Sequence, residues 1–151
     1  MKHANRLIPL LLAALIPLGA LAQMPGKHPF YLHALSDLRA ARWLIEHRPG
    51  DAKVSADEDV ALVRIDETIN EIKHASIDDG KDLRDHPPVD ATLDRQGRLH
   101  RADELLRKVH ADIAREEDDP FTRGLRDRAT HHIDDAIHAT ERAIHDVERG
   151  A

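Results

Sequence analysis

The chain has 151 residues, 33% of them charged, with 22 Lys and Arg against 28 Asp and Glu, 12 His and no Cys. The acidic balance argues against nucleic acid as a partner, since nucleic acid selects basic surfaces. Without thiols there is no disulfide framework, no lipid-attachment cysteine, no covalent Cys-x-x-Cys-His haem site and no cysteine nucleophile.

The first 22 residues read as a secretory signal peptide. MKHANR is a basic start, LIPLLLAALIPLGA an apolar run, and Ala20-Leu21-Ala22 a small-residue cleavage signal, so the mature chain is expected to begin at Gln23. The apolar run is shorter than the roughly 18 to 20 residues of a spanning helix, and no stop-transfer run follows it. The expectation is a periplasmic or secreted protein with no membrane span in the mature chain. Residues 23–151 then form a single domain long enough for a real core. Lys2, His3 and Arg6 leave with the signal, so 20 basic residues face 28 acidic ones for a formal charge of −8, and 11 histidines remain. Protonating all of them would carry the charge to +3, a reversal by mild acidification alone.

Four helical segments follow. Segment one runs from about Pro29 to His47, with Tyr31, Leu35, Leu38 and Ile45 on one face and Arg48-Pro49-Gly50 as its stop. Segment two opens on the capping box Ser55-Ala56-Asp57-Glu58, carries Leu62, Ile65, Ile69 and Ile72, and has Gly80 after its last turn. The connection from Lys81 to Gln96 contains His86-Pro87-Pro88. Segment three places Leu99, Ala102, Leu106, Val109 and Ile113 at spacings of three and four and ends at Asp119-Pro120. Segment four carries Leu125, Ala129, Ile133, Ile137, Thr140, Ile144 and Val147 before Gly150. Four narrow stripes of this kind predict an all-α, antiparallel four-helix bundle.

The two halves resemble each other weakly. Leu32-His33 lies 67 positions before Leu99-His100, and Ile65-Asp66 with Ile69 lies 68 before Ile133-Asp134 with Ile137. The near-equal offsets suggest a duplicated helical hairpin, with chance likeness of two amphipathic helices as the alternative.

No enzyme signature is present. Glu71-Ile72-Lys73-His74 has the Glu-x-x-His spacing of a di-iron bundle, and Asp135 to His138 approximates it, but the apolar seams assign Glu71, His74 and Asp135 to outer positions. Met24 is the sole methionine after the signal and aromatics are scarce, which disfavours haem. Ser36, Ser55 and Ser76 have no neighbouring glycine-rich turn to activate a nucleophile.

Histidine and carboxylate instead alternate along one stripe of segment four: His131, Asp134, His138, Glu141, His145 and Glu148. The stripe flanks the Ile133 and Ile137 seam, and segment three has a related one in His100, Asp103, Arg107 and His110. Counting outward from a tight turn near Asp118 to Pro120 brings His110 toward His131, Arg107 toward Asp134, and His100 with Asp103 toward His138 and Glu141. Three readings follow. The set His100, Asp103, His138 and Glu141, with His110 and His131 beside it, is an interhelical nitrogen and oxygen site suited to Zn²⁺, or to Cu²⁺ or Ni²⁺. Alternatively the acid–histidine pairs become ion pairs on acidification, or the stripe is only a solvated flank or a surface for an unknown protein partner.

The segment His28-Pro29-Phe30-Tyr31-Leu32-His33-Ala34-Leu35-Ser36-Asp37-Leu38-Arg39, with Glu46 to Asp51 and Asp85 to Asp90, resembles a set of exported bacterial helical proteins of unknown function. That resemblance implies export and a single domain, and brings no catalytic residue or cofactor. In outline the chain also looks like small periplasmic helical stress proteins, a likeness of architecture alone. The expected role is a non-enzymatic interaction or stress-type protein with an acid- or metal-responsive surface, or alternatively a dedicated metal-binding or buffering protein.

Overall fold

A computed structural model describes residues 28–47, 55–75, 82, 84–115 and 123–150. The signal peptide, the stop after segment one, Gly80 and the Asp118 to Pro120 turn lie outside these residues. Within them are four α-helices: α1 (Pro29–Glu46), α2 (Ala56–Ala75), α3 (Arg95–Arg115) and α4 (Arg123–Glu148).

Local chemistry accounts for the helix ends. Pro29 opens α1, where its missing amide costs nothing. The α2 capping box forms as the spacing predicts: the Glu58 amide donates to Ser55 Oγ at 3.1 Å, and the Ser55 amide to Glu58 Oε2 at 2.9 Å. Asp94 caps α3 by accepting from the Gly97 amide at 2.7 Å. A Cβ on Gly97 would sit 3.1 Å from that carboxylate, so glycine keeps the cap open. After α4, Gly150 takes φ +75° and donates to Val147 O at 3.0 Å, the left-handed stop expected from the sequence.

The predicted apolar stripes form the core. Tyr31, Leu35, Leu38, Ile45, Ile65, Ile69, Ile72, Leu99, Leu106, Val109, Ile113 and Ile133 are all buried. Leu62, Leu125 and Val147 are only partly buried and pack at its margin. The buried face of α4 is wider than its large residues suggest, because Ala129, Ala136, Ala139 and Ala143 are also covered. The reason is that α4 packs against two neighbours, α2 and α3. Buried Thr68 and Thr140 each donate to the carbonyl four residues earlier, Arg64 O and Ala136 O, at 2.8 Å, so neither hydroxyl is stranded.

Around the bundle α1 packs on α3, α3 on α4, α4 on α2 and, less extensively, α2 on α1. Cross-helix contacts set the directions. Lys108 with Asp37 and Arg98 with Leu44 O make α3 antiparallel to α1. Arg64 with Asp135 and Arg128 with Glu71 make α4 antiparallel to α2. Helices α2 and α3 therefore run the same way on one diagonal, with α1 and α4 on the other. The chain between α2 and α3 must travel back along the bundle, about 30 Å for a 20-residue helix. Its described part, residues 84–94, lies on the α1–α3 side, where Val89 packs on the core and Leu93 O accepts from Arg98 Nη1 at 3.0 Å. Each helix thus lies against its counterpart under the 67- and 68-residue offsets. Among the described residues no helix is long and apolar enough to cross a membrane.

Candidate functional site: a histidine and carboxylate face on α4

Every stripe residue of α4 sits beside the core, as its register predicts. Side-chain exposure is 74% at His131, 49% at Asp134, 68% at His138, 43% at Glu141 and 46% at Glu148, too open for a buried reaction centre. Their partners come from three directions. Across the α3 seam, His110 Nε2 lies 3.3 Å from Asp134 Oδ1 and His100 Nε2 3.8 Å from Glu148 Oε1. Across the α2 seam, His132 Nδ1 lies 3.3 Å from Glu67 Oε2, within ion-pair reach but not aligned as a hydrogen bond. Along α4 itself, His131 Nε2 lies 3.7 Å from Asp135 Oδ2 and His138 Nδ1 lies 3.3 Å from Glu141 Oε2.

The α3–α4 register differs from the count made outward from the turn. Arg107 donates to Glu141, not Asp134, and His100 meets Glu148, not His138. The midpoints of the observed pairs fall at positions 122 to 124, against 120.5 for His110 with His131 and Arg107 with Asp134 in the sequence count. Core layers set the slide between two antiparallel helices, and the reversal follows them. The consequence is a regrouping of the candidate ligands. His110, Asp134, His138 and Glu141 line one groove of about 300 Å³ with Arg107 and Ile137. His100 pairs with Glu148 and Asp103 with Arg107, while His131 turns to Asp135.

Arg107 dominates the electrostatics of that groove. Its guanidinium donates to Asp103 Oδ2 at 2.8 Å and to Glu141, and these bonds, Asp103 first, hold its pKa above the ordinary arginine value. Two of the carboxylates proposed as metal ligands are thereby occupied by an arginine. Among the described residues no three histidine or carboxylate groups converge so as to hold a metal ion. The partial di-iron spacings are likewise taken up elsewhere: Glu71 accepts from Arg128 at 2.9 Å, and Asp135 lies 3.3 Å from Arg64. Both ends of that motif belong to the α2–α4 seam.

Several participants escaped sequence reasoning. His132, only 19% exposed, sits one position off the alternating stripe, so the stripe pattern does not include it. Its signal was present in Arg64 and Glu67 of α2, which match Asp135 and His132 once α2 is known to be an antiparallel neighbour. Buried Arg98 was also missed. It bridges Leu44 O and Leu93 O, joining the end of α1 to the crossover. Asp37 accepts from Lys108 at 2.6 Å, a contact between α1 and α3. Ser55 Oγ is spent on its helix cap. No protein-family model, curated protein or solved structure matches this chain.

Proposed function

We propose that this is an exported, non-enzymatic helical bundle of the interaction or stress type, whose α4 face responds to acid. One observation carries the reading. Five imidazoles on α3 and α4 each lie within 4 Å of a carboxylate, and three of those pairs join α4 to a neighbouring helix. Protonation turns each neutral contact into an ion pair, and the pairs from His100, His110 and His132 then fasten α4 to both α3 and α2. Each exposed pair contributes at most a few tenths of a kcal/mol, so the effect is collective. The resemblance of the His28 to Arg39 segment and the leader-like N-terminus support export.

The sign follows from linkage. An imidazolium that gains a carboxylate on folding adds stability below the ordinary histidine range, and that gain is lost as pH rises through it. Thermal unfolding of the protein and of His110→Gln with His132→Gln, at about pH 5.5 and about pH 7.5, tests this: the variant should lose more stability at the lower pH. An equal loss at both pH values would sink the acid-response reading. Export is tested separately, by whether the protein recovered from the cell exterior or periplasm begins at Gln23.

The second reading, divalent metal binding, draws support from the groove that gathers His110, Asp134, His138 and Glu141. A metal ion there would have to draw His138 and Asp134 together and compete with Arg107 for Glu141. Titration with Zn²⁺ or Cu²⁺ that shows stoichiometric, at least micromolar binding, lost in His110→Ala with His138→Ala, would establish it. Absence of such binding removes the metal reading.

A further inference from the structure

The described part of the crossover, residues 84–94, carries a second histidine device, remote from α4. Trp43, the only tryptophan of the chain, is stacked by His47 at 4.2 Å between ring centroids and 10° between planes. From the crossover, His86 approaches the same indole at 5.4 Å and 48°. The His86 Nδ1 lies 2.8 Å from Pro87 O. A carbonyl can only accept, so Nδ1 carries the hydrogen and Nε2 is left to take up a proton. Pro87 and Pro88 fix their own φ angles and restrict His86, so the imidazole is held to a stiff segment. At its far end the same segment is pinned by Arg98 on Leu93 O. Between the two attachments lies a cavity of about 500 Å³, with Pro87, Pro88 and Val89 on one wall and Asp37, Ala40 and Leu105 on the other.

We propose that residues 84–94 are a pH-sensitive strap, clasped to α1 by His86 against the ring of Trp43, which tightens over the cavity when His86 is protonated. An imidazolium is drawn to the indole face by the ring quadrupole, whereas the neutral ring has only stacking. Several of the other charged side chains on this side are engaged elsewhere. Asp37 accepts from Lys108, Asp90 from Thr92, and Arg101 donates to Glu104. Arg98 donates to Leu44 O and Leu93 O, and the Arg84 amide donates to Asp82. Asp85, next in sequence to His86, is exposed and donates its amide to Asp82 O. The contact that His86 makes with α1 is with the indole, and the carboxylate of Asp85 and the guanidinium of Arg84 are the charged groups nearest to it in sequence. His47 also stacks on that indole, so its imidazolium competes with that of His86 for the ring, and removing His47 isolates the His86 contact.

Amide exchange tests the strap on the whole protein. Protection of Val89 and Leu93, relative to core amides of Ile65 and Ile69 in the same samples, is measured at about pH 8 and about pH 5.5 after correction for intrinsic rates. Acidification should raise it about two- to five-fold, the span of an exposed cation–π contact. His86→Phe keeps a ring on the indole and cannot titrate, so it should show no pH dependence, whereas His47→Gln should keep the rise. The proposal is overturned if protection is unchanged or lower in acid, or if His86→Phe responds as the parent does. It does not depend on the α4 face, whose variants should leave this readout unaltered.

Discussion

Replacing Glu58 by glutamine changes one atom type at a site where the bundle concentrates several demands. Glu58 is 2% exposed, accepts from the Ser55 amide at 2.9 Å, and receives Arg95 Nε at 3.1 Å and Nη2 at 3.0 Å. It thus closes the α2 cap and ties the start of α3 to the start of α2, two helices that share no direct packing face. Hydrogen bonds to a charged group are worth about 1.5–3 kcal/mol each when removed in place. Arg95 keeps 30% exposure and remains solvated after the change, which limits the penalty for leaving it unpaired. A net loss of about 2 kcal/mol follows, or roughly 6–8 °C in Tm for a domain of this size. Urea unfolding followed by far-UV circular dichroism, with an unchanged m value, gives the free energy directly. Arg95→Met in a double-mutant cycle should show about 1 kcal/mol of coupling. A Glu58→Gln protein within about 0.5 kcal/mol of the parent, or strict additivity with Arg95→Met, would refute the reasoning.

Other consequences can be checked independently. Ile133→Ala at the fully buried centre of α4 should cost about 2–5 kcal/mol in the same urea assay, because the four-helix core can only partly collapse on the void. Lys108 has its pKa raised, first by its hydrogen bond to Asp37, so its contribution is complete below the unfolded lysine value and fades as pH rises past it. Lys108→Met should therefore remove a fall in Tm at strongly alkaline pH. Asp90 has its pKa lowered, first by the Thr92 hydroxyl, so its contribution is present above the ordinary aspartate range and lost on acidification; NMR titration of Asp90 in Thr92→Val should show the carboxylate moving upward. Because the chain has no cysteine, spin labels at His100→Cys with Glu148→Cys report the α3–α4 register cleanly. That pair should lie on the order of 10 Å closer than His100→Cys with His138→Cys, since ten helical residues rise about 15 Å; equal distances would contradict the register.

Helix existence, helix ends and core membership were legible before any tertiary information. The reason is that they are local. A capping box such as Ser55 to Glu58, a proline at the first helical position, a glycine after the last turn, and apolar residues every three or four positions act over one or two turns of chain. The boundary placement of the α4 histidines followed from the same periodicity. Tertiary structure decided which side chains meet. His110 faces Asp134 and His100 faces Glu148 because buried isoleucines, leucines and alanines choose the slide of α4 along α3, and no residue near the reversal encodes that choice. The diagonal placement of α2 and α3 brings Arg64 and Glu67 of α2 to Asp135 and His132, and lays His86 on Trp43. Periodicity fixes the angle of a side chain around its own helix. Its partner depends on how four such helices share one core.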